Sequence, residues 1–337
     1  MSKTAVLLIN VGTPDSPSVK DVRRYLSEFL NDKRVIDIPW AARKLLVNGI
    51  IVPFRAPKSA KIYEKVWTDK GSPLLIHGEN LARKLQELLG RDYMVELGMR
   101  YRKPSISSAL QKFKAAKVRR IIVMPLFPQY AASTTGTAVE EVFRLINKEW
   151  AVPEVTTIGS FFQNESFVQN FADIGLEYHP EDYDHVLFSY HGLPVRQVNK
   201  VHPEMKCENC TCHEQYDAEA HFQCYKAECY ETTRLIAKKM YLKPEEFSVA
   251  FQSRLDKNWL TPFSDKRVAE LAQNGAKRIL VLCPSFVADC LETTFEIGEE
   301  YAEIFHENGG EHLQLVRSLN DDDRWVETVA QLVKREN

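Results

Sequence analysis

The sequence predicts an α/β fold built from two doubly wound halves, each a parallel sheet covered by helices on both faces. Three observations carry this expectation. Short β-rich apolar runs alternate with longer amphipathic segments along the chain, as parallel strands joined by crossover helices require. Two segments recur. Val6-Leu7-Leu8-Ile9-Asn10-Val11-Gly12-Thr13-Pro14 resembles Val186-Leu187-Phe188-Ser189-Tyr190-His191-Gly192-Leu193-Pro194, and Arg119-Arg120-Ile121-Ile122-Val123 echoes Lys277-Arg278-Ile279-Leu280-Val281. A duplication with a hinge near residue 150 explains both echoes, and chance likeness of strand–turn segments is the alternative. Finally, 337 residues, 44% hydrophobic and 27% charged, suffice for two domains with their own cores.

Residues 4–10 form the first continuous apolar strand, and the amphipathic segment 19–30 is the helix after it. Helix 80–89 leads into a strand at 93–99, helix 105–114 into one at 120–124, and helix 138–147 into one at 154–158. The second half repeats the rhythm with helix 167–176, strand 185–189, helix 232–240, strand 247–251 and helix 266–273. Strand 278–282, helix 291–305, strand 313–317 and helix 325–334 complete it. The expected domains are 1–150 and 151–310. Residues 197–224 interrupt the pattern: the stretch is polar, rich in His, Glu and Cys, without sustained period, and reads as an inserted functional loop.

A formal net charge of −2 gives no reason to expect a nucleic-acid partner. The opening Met1-Ser2-Lys3-Thr4 lacks the zones of a signal peptide, and no apolar run is long enough to span a bilayer, so the expected location is the cytoplasm. Of seven cysteines, five crowd between Cys207 and Cys229, which in a cytosolic chain reads as metal or cluster ligation rather than disulfides.

Ligands of open α/β sheets bind outside the carboxyl ends of the strands, so the strand tips hold the candidate chemistry. Gly192 and Pro194 turn the chain after strand 185–189 and leave His191 at its tip. After strand 278–282, a turn delivers acids to the next helix, with Asp289, Glu292 and Glu296 spaced to share one α-helical face. Carboxylates beside an imidazole suit Fe²⁺ and its neighbours. A solvated acidic face, extended by Glu299, Glu300 and Glu303, and a backbone-bonded histidine are the plainer readings. At other tips, Arg100 and Tyr101 could hold a carboxylate and stack on a flat ligand, and Ser133-Thr134-Thr135-Gly136 could cap a helix or receive an anion.

Taken in order, these residues resemble the ferrochelatase family. The resemblance rests on Ser189–Pro194, Phe251-Gln252-Ser253-Arg254 with Trp259-Leu260, and the stretch from Cys283 to Glu292. Asn10–Pro14, Gly71-Ser72-Pro73, Arg100-Tyr101 and Pro128-Gln129-Tyr130 with Ser133–Gly136 join them, so the likeness covers nearly the whole chain. It implies two Rossmann-like domains with a cleft between them, and a C-terminal helix, about 311–337, packing back on the first. It implies a lyase that inserts Fe²⁺ into protoporphyrin IX as the last step of haem biosynthesis, with coproporphyrin III as the alternative substrate. By motif, His191 is the base or the iron ligand, Glu292 its acidic partner, and Glu296 the next acid in line. Val11, Tyr63, Ser72, Arg100, Tyr101, Trp259 and Phe286 match pocket positions around the macrocycle. Segment 36–54, apolar with Arg43, Lys44 and Arg55 in or beside it, matches a lip that could rest peripherally on the inner membrane, or is an ordinary core helix. Cys290 stands where some members carry histidine, Ala132 where some carry cysteine, and the C-terminal cysteine extension of animal-type members is not expected here.

Some ferrochelatases carry a [2Fe-2S] cluster, and Cys207, Cys210 and Cys212 in a CxxCxC run, with Cys224 following after eleven intervening residues, supply four thiolates for one. Cys229 competes as fourth ligand, but it matches a helix-start Cys-x-x-Thr of members without a cluster. Zinc, with His213 and His221 nearby, and free thiols are the alternatives.

Overall fold

A computed structural model describes residues 3–203 and 206–336. The chain forms two compact units. The first takes the chain up to Phe127, Ala132–Gly159 and everything from Asn320 on; the second takes Pro128–Ala131 and Ser160–Leu319.

In the first unit, β1 (Thr4–Gly12), β2 (Tyr93–Tyr101), β3 (Arg120–Pro125) and β4 (Glu154–Thr157) form one parallel sheet in the order β2-β1-β3-β4. Around it run α1 (Val19–Leu30), α2 (Trp40–Leu45), α3 (Val52–Val66), α4 (Pro73–Leu89), α5 (Ile106–Ala115) and α6 (Thr137–Ile146). Ala5 through Ile9 are fully buried, which is why β1 reads as an unbroken apolar run rather than an alternating one. Its odd-numbered side chains pack with Phe113 of α5 and Val142 of α6.

The second unit repeats this plan. It holds α7 (Glu165–Leu176), β5 (His185–His191), α8 (Val195–Val201), α9 (Tyr225–Lys239), β6 (Phe247–Gln252), α10 (Ser264–Gln273), β7 (Arg278–Leu282), α11 (Ala302–Glu307) and β8 (His312–Leu315). Its parallel sheet runs β6-β5-β7-β8, the same order as in the first unit. The two sequence echoes therefore fall on equivalent strands, β1 with β5 and β3 with β7. Gly12 and Gly192 close the first echo for one physical reason. At each tip the neighbouring edge strand comes so near that a Cβ would stand 2.0 Å from the Tyr101 carbonyl oxygen or 2.8 Å from that of Gln252.

The last helix, α12 (Asp323–Arg335), belongs to the first unit, with Trp325, Val329 and Val333 fully buried. His77 Nδ1 on α4 meets Asp321 Oδ1 at 2.7 Å, and Lys84 Nζ meets Asp323 at 2.8 Å, fastening the approach to α12.

Several expectations are corrected. The helix expected at 291–305 is a π-helix over Glu292–Tyr301 followed by α11. Asp289 lies before it, so Asp289, Glu292 and Glu296 do not share an α-helical face. Asp289 instead accepts from Ser318 N–H at 3.1 Å. Part of the irregular insertion is helical, since α8 reaches Val201. Segment 36–54 is a core helix on one face only, with Val47 and Val52 buried beside Val22 and Leu26 of α1. Trp40, Leu45, Ile50 and Phe54 are 67%, 73%, 56% and 73% exposed, and a π-turn at Leu46–Ile51 joins α2 to α3.

Candidate functional site

His191 ends β5, with β6 and β7 on either side, so its neighbours come from the carboxyl ends of three strands. Its ring is half-buried, with the Trp259 and Phe286 rings each 6.4 Å away between centroids. His191 Nδ1 lies 2.6 Å from the Gly192 carbonyl oxygen. A carbonyl only accepts, so Nδ1 carries the proton and the Nε2 lone pair is left available. The turn after His191 is tied at both ends: Gly192 N–H donates to Gln252 O at 2.8 Å, and Tyr225 Oη donates to His191 O at 2.8 Å.

Gln252 is the junction of this site. Its backbone holds the His191 turn, its Oε1 accepts from Ser189 Oγ at 2.8 Å, and its Nε2 donates to the Glu292 carbonyl at 2.7 Å. Glu292 is thereby fixed in the first turn of the π-helix, half-buried. Glu296 has a different task. It accepts from Ser253 N–H at 2.8 Å, Ser253 Oγ at 2.5 Å, Gln252 Nε2 at 3.2 Å and Tyr301 Oη at 2.9 Å. Ser253 sits at φ 62°, a left-handed conformation costly for a side chain, and Glu296 holds it there at the start of the loop that carries Trp259. The Tyr301 hydroxyl is pushed far up, first by burial and then by the Glu296 carboxylate.

Among the matched positions of the first unit, Val11 and Tyr63 sit partly buried on one apolar cluster with Tyr25 and Tyr101. Ser72 is buried and accepts from Thr13 Oγ1 at 2.9 Å. The pair expected to meet a flat ligand is engaged elsewhere. Arg100 and Tyr101 converge on Asp32, at 2.6 Å from Nη2 and 2.9 Å from Oη, and Thr137 Oγ1 donates to the same oxygen at 2.5 Å. Tyr101 is 1% exposed and carries the Arg100 guanidinium over its ring at 4.6 Å, so its face is not open for stacking. Burial raises the Tyr101 pKa strongly. Asp32 has no sequence signal, being one acid just beyond an amphipathic helix.

In the cysteine segment, Cys207, Cys210, Cys212 and Cys224 are all buried. The Cys212 thiol donates to the Cys224 sulfur, which lowers Cys224 to about 7 and raises Cys212; burial raises Cys207 to about 11. Asp217 N–H donates to His221 Nδ1 at 2.9 Å, so His221 Nε2 holds the proton that it presents to Cys210 Sγ at 3.4 Å. The four sulfurs are neighbours of the right chemistry, yet among the described residues no group of three His, Cys, Asp or Glu side chains is arranged to hold a metal ion. Cys229 stands apart, fully buried beside the Tyr225 and Ser285 hydroxyls, and burial holds its thiol protonated. Residues 204 and 205, between Cys207 and α8, lie outside the described residues.

Comparison with known proteins bears on the fold and the family. The structure of SirB from Bacillus subtilis with Fe³⁺ superposes with a TM-score of 0.56, covering 99% of this chain and 95% of that one, at 11% identity, a likeness of fold alone. A Ferrochelatase of Coxiella burnetii is 45% identical over 340 residues, covering 99% of this chain and 94% of its own. A Ferrochelatase of Legionella pneumophila is 43% identical over 335 residues, covering 99% of each. The Ferrochelatase family model matches residues 3–337. A match of that extent, with relatives this close along their whole length, means that the chain belongs to the ferrochelatase family.

Proposed function

We propose that this chain inserts Fe²⁺ into protoporphyrin IX, completing protohaem, with His191 as the residue that takes the pyrrole protons or last holds the iron. The observation that carries the assignment is the His191 imidazole, whose Nδ1 proton is committed to Gly192 O and whose Nε2 is free at a strand tip between two aromatic rings.

Metalation meets two obstacles. The four porphyrin nitrogens are coplanar and two of them carry protons, and the incoming ion must shed water. Binding energy from the rest of the macrocycle can be spent on bending it, which turns the nitrogen lone pairs out of plane. Two protons must then leave as the iron enters. Nε2 of His191 takes them in turn, and the Gly192 carbonyl steadies each imidazolium that forms. Glu292, at the end of the neighbouring strand's loop, receives protons from His191 and passes them outward. Glu296, its lone pairs occupied by four donors, supports the loop that carries Trp259. Val11, Tyr63 and Ser72 are proposed to flank the macrocycle. Arg100 acts there through its pairing with Asp32 rather than as a free cation, and Tyr101 as the packing beneath it. Under anaerobic assay, kcat/KM for Fe²⁺ insertion into protoporphyrin IX is expected to exceed that for coproporphyrin III by about tenfold, roughly 1.4 kcal/mol. The reverse preference would make coproporphyrin the substrate.

The exposed row Trp40, Leu45, Ile50 and Phe54, with Lys44 and Arg55 beside it, supports peripheral contact with the inner membrane from the cytoplasmic side. No described helix is long and apolar enough to cross a membrane.

The cysteine segment is proposed to bind a [2Fe-2S] cluster through Cys207, Cys210, Cys212 and Cys224, and the support is the CxxCxC run together with Cys224, all four sulfurs buried. Such a cluster supplies a one-electron redox centre. Zinc is the competing occupant, and His221 would have to give up its proton to join as a ligand. Anaerobically purified protein is expected to be red-brown, with about two irons and two sulfides per chain and an EPR signal on reduction. Cys224→Ser is expected to lose the colour and Cys229→Ser to keep it. A colourless protein holding one tight zinc would refute the cluster and leave the chelatase reading intact.

A further inference from the structure

We propose that Tyr225 is a positioning residue for His191: its hydroxyl fixes the peptide that chooses which imidazole nitrogen is free. The inference rests on the role given to His191 above. The peptide bond between His191 and Gly192 has two polar groups, and both are held. Its N–H goes to Gln252 O at 2.8 Å and its C=O receives Tyr225 Oη at 2.8 Å. With that plane pinned, the next carbonyl, Gly192 O, stands where Nδ1 of the imidazole meets it at 2.6 Å. Gly192 itself cannot carry a side chain against Gln252 O, and the ties further along the turn, Leu260 N–H to Leu193 O and Val195 N–H to Asn258 O at 2.9 Å each, act beyond the His191–Gly192 peptide.

The hydroxyl is built into this position. Tyr225 is buried and is the first residue of α9, and its Oη lies 3.2 Å from Ser285 Oγ. Ser285 Oγ donates to Gln129 Oε1 at 3.0 Å, and Gln129 Nε2 donates to Thr232 Oγ1 at 3.0 Å, two turns further along α9. The hydroxyl that reaches this carbonyl is thus tied through Ser285 and Gln129 back to its own helix. Removing the hydroxyl leaves that carbonyl without its donor, and the peptide, held then by its N–H to Gln252 O alone, can rotate about that bond toward another partner. Rotation takes Gly192 O away from Nδ1, and the proton that had to reside there redistributes between the two ring nitrogens. A share of the molecules then presents Nε2–H, which can neither accept a proton nor hold iron.

The test is nitrogen NMR of protein labelled in its nine histidines, at a pH where the rings are neutral, with the His191 signal assigned by its loss in His191→Ala. Wild-type protein is expected to show His191 as the Nδ1–H tautomer. Tyr225→Phe is expected to show a mixture, with kcat lowered about tenfold and KM for porphyrin unchanged within about twofold. Tyr190→Phe, which removes an equally buried hydroxyl bonded to Thr233 on the same helix, is expected to change neither. An Nε2–H tautomer in the wild type, or an unaltered tautomer in Tyr225→Phe, overturns the proposal whatever the rates. A tautomer mixture with unchanged kcat upholds the positioning and overturns the chemistry assigned to His191.

Discussion

His191→Ala is expected to lower iron insertion by about a hundredfold or more, the scale of a lost general base, while porphyrin affinity stays within about tenfold. The two effects separate because of where the residue sits. The imidazole ends β5 with one nitrogen tied to its own turn, so its removal disturbs neither the strand nor the Ser189, Gln252 and Tyr225 bonds around it. The Trp259 and Phe286 rings remain to meet the macrocycle. Stopped-flow fluorescence quenching reads the binding and metalation under anaerobic conditions reads the rate. A variant that keeps more than about a tenth of wild-type turnover removes His191 from proton transfer and iron binding alike.

Glu292→Gln is expected to cost about tenfold or more in kcat with little loss of stability, because the bond from Gln252 goes to its backbone carbonyl, which the substitution keeps, and a Gln amide oxygen can still accept from the neighbouring Cys290 thiol. Glu296→Gln is expected to slow the reaction less and to lower Tm more. An amide offers an N–H pair where Ser253 N, Ser253 Oγ, Gln252 Nε2 and Tyr301 Oη all look for acceptors, and it loses the charge that strengthens those bonds. Glu303→Gln, exposed on α11, is expected to change neither. Equal small effects at all three positions, in rate and in melting, would return this helix to the role of a solvated acidic face.

The fold was legible wherever burial on both sides of a sheet made a strand uniformly apolar. β1 and β5 announce themselves this way, and their shared Gly and Pro spacing marks equivalent turns. What sequence reasoning missed has specific causes. The acids from Asp289 to Glu296 follow an α-helical period, but the backbone takes the wider π-turn, which leaves no mark on periodicity. Residues 40–66 contain Gly49, Pro53 and Pro57 and so look interrupted, yet α2, the π-turn and α3 run through them. His191 could be singled out because a turn follows it at once. Gln252 stands inside the Phe251-Gln252-Ser253-Arg254 motif, but its bonds to three different segments depend on β6 lying beside β5, which no local pattern states. Tyr225 was hidden by its neighbour Cys224, and Asp32 by being an ordinary acid beyond a helix.

The chain changes unit at four places, after Phe127, Ala131, Gly159 and Leu319, and this imposes a timetable on biosynthesis. The first unit cannot close when its sheet is complete, because α12, with Trp325, Val329 and Val333 in its interior, is made only after the second unit. During translation the apolar ground that α12 will cover on α4 stays open while the whole second unit is synthesised and folds. The later part of the chain is thus free to finish first, and a ribosome stalled before Asn320 leaves a sticky, unfinished first unit. No single cut separates the two units for the same reason: any one cut leaves part of one unit with the other.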